Sequence, residues 1–166
     1  KKLPVEFKVM NMEHLEANFS ESQFDGVICI GNTLVHLSGI PQIKGVLKQM
    51  VSLLKPGGVL ILQIINYDRI ITQNITELPL IDNEDVSFIR EYDYNEPENK
   101  VIFKTTLKVK KTNEIFENEI SLFPLRYEIL KMMLTDLGLK NINWYGSFKG
   151  EPYDWNSYAT VVTAQK

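Results

Sequence analysis

Three short clusters in this sequence carry residue types that could hold a small ligand. They are Asn11-Met12, the stretch Ile30-Gly31-Asn32-Thr33 with His36 just beyond, and Asn66-Tyr67-Asp68. Their chemistry is binding rather than attack. Asparagine and threonine offer hydrogen bonds, glycine lets the backbone approach closely, and methionine, isoleucine and tyrosine offer apolar faces. No nucleophile with a base beside it stands out. The two histidines, His14 and His36, have no cysteine or carboxylate cluster nearby, so there is no metal signature. The lone cysteine, Cys29, lies inside an apolar run, reads as a small buried hydrophobe, and has no partner for an internal disulfide.

The elements that must position these clusters are legible. Phe24 to Ile30 is a compact apolar run, too short for a typical helix, and reads as a strand buried on both faces. Ile43, Val46, Leu47, Met50, Val51 and Leu54 then recur at helical spacing behind Pro41, which suits a first turn. Lys55-Pro56-Gly57-Gly58 stops that helix, and Val59 to Ile65 is a second apolar run. Strand, helix, strand is the unit of a parallel sheet, and such sheets bind ligands outside the carboxyl ends of their strands. Gly31-Asn32-Thr33 and Asn66-Tyr67-Asp68 would stand at that rim. A further strand from Val5 to Met10 would bring Asn11-Met12 to the same edge.

Beyond Ile70 the texture changes. Ile70 to Asp85 is mixed and fits a short helix or a loop. Ser87 to Tyr94, Lys100 to Lys111 and Ile115 to Leu122 alternate strictly, as half-buried antiparallel strands do. Asn95 to Asn99 and Thr112-Asn113 supply the turns, and a lysine face (Lys104, Lys108, Lys110) would meet a glutamate face (Glu117, Glu119). A helix over 126–137 and strands over 142–145 and 158–164 finish the chain. The expected organisation is 1–69 and 126–166 as an α/β core, with 70–125 inserted as an antiparallel cap. Tyr92, Tyr94, Phe103, Phe116, Tyr153 and Trp155 could wall a pocket beneath it.

The run Phe24 to Thr33 with His36-Leu37, the Leu54-Lys55-Pro56-Gly57-Gly58 turn and Asn66-Tyr67-Asp68 together resemble class I S-adenosylmethionine-dependent methyltransferases. The likeness is nearest to the glycine/sarcosine N-methyltransferase branch. It implies a Rossmann-like methyltransferase sheet, present in part, with an inserted antiparallel β layer. It implies S-adenosylmethionine as cofactor, touched by Asn11, Met12, Ile30, Gly31, Asn32, Thr33 and His36, and a small-molecule acceptor beside Asn66 and Tyr67. Read from the residues alone, the alternatives are a helix N-cap at Asn11 with Met12 in the core, and an ordinary packed or solvent-facing histidine at His36. The resemblance supplies no catalytic residue. The family's Gly-rich loop and the acid ending its second strand have no counterpart in this sequence. Where the glycine-methylating branch places a carboxylate-holding arginine, just before Asn66, this chain has Ile65, which argues against glycine as acceptor.

With 166 residues the chain suits one domain. A net charge of −3 and a pI near 5.5 argue against a basic nucleic-acid surface. No apolar segment is long enough to span a bilayer, so the expectation is a cytoplasmic protein with neither membrane nor nucleic acid as partner. The leading reading is N- or O-methylation of a small molecule. Its rival is a nonenzymatic, partner-binding remnant of the same fold, and a nicotinamide oxidoreductase fits the rim and turn less well. An uncovered sheet edge would favour pairing with another copy or with further chain.

Overall fold

The computed structural model describes residues 4–166. Strand β1 (Phe24–Cys29), helix α1 (Ile40–Leu53) and strand β2 (Leu54–Ile65) form the expected crossover, with β1 and β2 parallel from Gly26 opposite Val59 to Cys29 opposite Leu62. Pro41 lies in the first turn of α1. Beyond them, β7 (Lys140–Tyr145) and β8 (Ala159–Gln165) complete a mixed sheet in the order β1-β2-β8-β7, with β8 antiparallel to both neighbours. Helix α3 (Tyr127–Asp136) packs on the same face as α1, and Lys44 bridges to Asp136 at 3.3 Å between them. Ile43, Leu47, Leu60, Leu62, Leu130 and Leu134 are buried together there, in the main core.

Strand β2 begins earlier than the sequence pattern suggests, because Lys55 to Gly58 bulge out of the ladder between the pairs Phe24–Leu54 and Gly26–Val59 instead of ending it. Gly57 takes a φ of 81°, and Gly58 is squeezed between strands. A Cβ on Gly58 would lie 3.0 Å from the Lys55 carbonyl and 3.1 Å from that of Asp25.

Two expectations are corrected. Val5 to Met10 is not a strand: it has no ladder partner among the described residues, and Val5, Phe7 and Val9 are exposed. An extended segment without a neighbour to accept and donate its hydrogen bonds does not become sheet. Nor is β1 buried on both faces, since Ile28 is 64% exposed at the sheet's edge.

A short helix α2 (Tyr67–Thr72) follows β2, and a second sheet holds β3 (Ile81–Asp82), β4 (Val86–Asn95), β5 (Lys100–Val109) and β6 (Ile115–Leu122) in that order, all antiparallel. Tyr92, Val101 and Leu122 bury its inner face. The Phe123 N–H donates to the Val35 carbonyl at 2.9 Å, tying the layer to the turn that follows β1. Lys104 does lie opposite Glu119, yet its ion pair is with Asp93 on β4, and Lys110 reaches Asp82 on β3. These exposed pairs each contribute roughly 0–1 kcal/mol.

Gly58→Ala should destabilise the protein by about 1 kcal/mol in urea unfolding. The added methyl relieves chain entropy but presses on two carbonyls pinned in paired strands, and overpacking costs about 1–3 kcal/mol.

Candidate functional site

The carboxyl ends of β1 and β2 are locked together by one amide. Asn32, at φ 64°, follows Gly31 at φ 74°, so two consecutive left-handed residues turn the chain sharply back. The turn lets the Asn32 Oδ1 accept the Ile65 N–H and its Nδ2 donate to the Tyr67 hydroxyl, both at 3.1 Å. Gln63 reinforces it: its Oε1 accepts the Gly31 N–H at 2.7 Å. The Asn32 side chain is therefore spent inside the protein. What faces outward is Ile30, 45% exposed, the Cβ-less face of Gly31 and Thr33, whose hydroxyl donates to the Ile30 carbonyl. A Cβ on Gly31 would meet nothing nearer than Thr33 Oγ1 at 3.9 Å, so this side of the turn is open.

At the end of β2, Asn66 is 1% exposed. Its Oδ1 accepts the Arg69 N–H, capping α2, and the Tyr153 hydroxyl, both at 3.2 Å. Its Nδ2 faces the carbonyls of Asp154, Trp155 and Ser157, the last at 3.0 Å. Tyr67 is also buried, and burial pushes its hydroxyl well above the ordinary tyrosine range. Asp68 is buried too. One carboxylate oxygen accepts from Arg126 Nε and the other from the Tyr127 N–H, each at 2.7 Å. Arg126 has no side-chain cap to offer α3, so Asp68 caps that helix from 59 residues away, at its positive end.

Above this floor the aromatics gather. Tyr127 and Tyr153 stack at 5.1 Å, and Trp155 meets both edge-on. Burial, then the charge of Asp68, pushes the Tyr153 hydroxyl up to about 12. Of the other expected wall residues, Tyr92 and Phe103 pack on each other in the core of the antiparallel layer, Tyr94 lies half-buried there, and Phe116 is exposed.

The family profile described as "Methyltransferase domain" matches residues 1–58. A glycine/sarcosine/dimethylglycine N-methyltransferase from Actinopolyspora halophila is 30% identical over 129 residues, which is 76% of this chain and 21% of that protein. A glycine/sarcosine N-methyltransferase from Aphanothece halophytica is 26% identical over 142 residues, 78% of this chain and 46% of that protein. An S-adenosylmethionine-dependent methyltransferase from Clostridium acetobutylicum superposes with a TM-score of 0.79 at 17% identity, over 95% of this chain and 63% of that one. The chain is thus similar in sequence to glycine/sarcosine N-methyltransferases and in fold to S-adenosylmethionine-dependent methyltransferases. It spans less than half the length of these two curated relatives. Its α/β sheet with a separate antiparallel layer is a Rossmann-like methyltransferase fold.

On that fold, Gly31, Asn32 and Thr33 stand at one rim with Asn66 and Tyr67, joined through the Asn32 amide. No hydrogen bond links Asn11 or Met12 to that network among the described residues. Asn11 Oδ1 accepts the Glu13 N–H to cap a short 3₁₀ turn (Met12–His14), and Met12 packs against the core. The idea that Asn11-Met12 and Gly31–Thr33 end neighbouring parallel strands fails here, because Val5 to Met10 is not a strand. His36 is exposed and faces a separate cleft of about 300 Å³ beside Lys100 and Ser121. Arg126, Tyr127 and Arg69 escaped the sequence reading. An arginine just before a helical stripe looks like a solvated flank, and no local spacing announces a partner 58 residues away.

Asp68→Ala should lower stability by about 2 kcal/mol, since it strips the first amide of α3 and a charged partner of their acceptor. Urea unfolding, with Arg126→Ala in a double-mutant cycle, measures it. A second expectation concerns alkaline pH. A phenol that ionises near 10.0 when unfolded and near 12 when folded favours the folded state fully below pH 10, and that stability is lost as pH rises toward 12. Tyr153→Phe should flatten that part of the stability curve relative to wild type.

Proposed function

We propose that the full-length protein is an S-adenosylmethionine-dependent methyltransferase that methylates a nitrogen or oxygen of a small molecule. The observation that carries this reading is the open glycine turn at the carboxyl end of β1, inside the segment that matches the methyltransferase family. The residues there fit such a cofactor. Ile30 offers an apolar surface, Gly31 a position where no Cβ blocks close approach, and Thr33 a polar rim. The bound cofactor would supply an activated methyl group, so the protein's task is to position an acceptor and exclude water. Asn66 serves as a rigid floor, its amide paired on both sides, whereas the Tyr67 hydroxyl accepts from Asn32 and keeps its own proton without an acceptor among the described residues. The antiparallel layer over 70–125 would act as the cap, and 1–69 with 126–166 as the cofactor-binding core.

A partner-binding domain without catalysis is the competing reading. It is favoured by the internal commitment of the Asn11, Asn32 and Asn66 side chains. Calorimetry on the full-length protein separates the two. S-adenosylmethionine should bind, and Ile30→Ser should weaken it about tenfold, the loss of roughly 1.4 kcal/mol of apolar contact. Ile30 is exposed enough that the variant should fold normally. No binding to the full-length protein would favour the competing reading, and unchanged affinity in the variant would take Ile30 out of the site.

A further inference from the structure

The carboxyl edge holds a second feature that the methyl-transfer reading does not use. Of the three arginines in the sequence, Arg90 donates to the Pro79 carbonyl and Arg126 to Asp68. The Arg69 guanidinium has no hydrogen bond or ion pair among the described residues, and lies 4.2 Å from the Tyr158 ring centre. It opens on a cleft of about 620 Å³ between α2 and the antiparallel layer, lined also by Gln73, Leu78, Leu80 and Ile89. Leu80, Ile89 and Tyr158 are exposed large apolar side chains, and they line the cleft together with this one cation. Glu77 lines the cleft as well, but it makes no ion pair with Arg69.

The cleft lies beside the proposed site. Arg69 is three residues beyond Asn66 on α2, and the Asn66 N–H donates to the carbonyl of Tyr158 at 3.1 Å. A volume near 620 Å³ is in the range that holds a drug-sized molecule, far more than glycine requires. A planar guanidinium with its donors unspent matches a carboxylate fork, and the Tyr158 ring beneath it supports it by cation–π contact. The surrounding leucine and isoleucine faces match an aliphatic or aromatic body.

We infer that this cleft takes an organic carboxylate with an apolar body, held by Arg69. If the methyl-transfer reading above is right, such a carboxylate is the acceptor, larger than glycine and gripped from α2 rather than from position 65. The test uses hexanoate and hexanamide, which share a shape and differ in charge, in saturation-transfer NMR on the full-length protein. Hexanoate should bind about tenfold more tightly than the amide, as a charge-assisted hydrogen-bond pair implies. Arg69→Gln should erase that preference while leaving S-adenosylmethionine binding by calorimetry unchanged. Equal binding of acid and amide in the wild type, which needs no variant to fold, would overturn the assignment. So would a preference that survives Arg69→Gln. A carboxylate preference without S-adenosylmethionine binding would keep the cleft and reject the methyltransferase reading. Cofactor binding without the preference would do the reverse.

Discussion

The buried amide of Asn66 organises the whole carboxyl edge of the main sheet. It ends β2, caps α2, holds Tyr153 by its hydroxyl and reaches three carbonyls in the loop before β8. A primary amide brings two donors and a carbonyl acceptor to such a junction, and at 1% exposure it has no water to fall back on. Everything at the rim inherits its placement. Asp68 can cap α3 only because α2 starts where Asn66 fixes it, and Arg69 faces the cleft for the same reason.

Asn32 does for β1 what Asn66 does for β2. Parallel strands are held by slanted ladder bonds that stop at the strand ends, so their last residues need side chains to keep the edges in step. Here one amide spans from the β1 turn to the Ile65 N–H and the Tyr67 hydroxyl. The left-handed backbone at Asn32 is well tolerated by that residue type, and the clamp repays the small strain with two internal hydrogen bonds. The consequence for recognition is specific. With the asparagines turned inward, a ligand meets backbone, exposed apolar surface and one threonine.

Where periodicity is strong and local, the sequence was a sufficient guide. The alternation of Phe103, Thr105, Leu107 and Val109 places β5 between β4 and β6 with turns at Asn99 and Asn113, both at positive φ. The stripe from Ile43 to Val51 is buried as its spacing implies. Val5 to Met10 has the same alternation but no neighbour, and a pattern cannot reveal a missing partner. The rim was legible only as residue types. Nothing local distinguishes an Asn32 that binds a ligand from one that clamps two strands, since both want a polar side chain at a left-handed turn. Asp68 and Arg126 were invisible as a pair because their meeting depends on how α2 and α3 converge.

Methyl transfer suits an edge built this way. A reaction whose activated group arrives on a cofactor demands placement and dryness more than an ionised base, and the residues found here are of that kind. Tyr67 and Tyr153 are held protonated far above neutral pH by burial, so neither is poised to take a proton. An acceptor bound here would have to present its own neutral nitrogen or an already activated oxygen. Nitrogen meets that requirement with less help, because an amine can lose its proton to solvent before it is enclosed, whereas a hydroxyl needs a base within reach. On the proposed reading, a floor of this kind asks an acceptor to arrive with its nucleophilic atom already neutral, and the unspent guanidinium of Arg69 stands at the same edge.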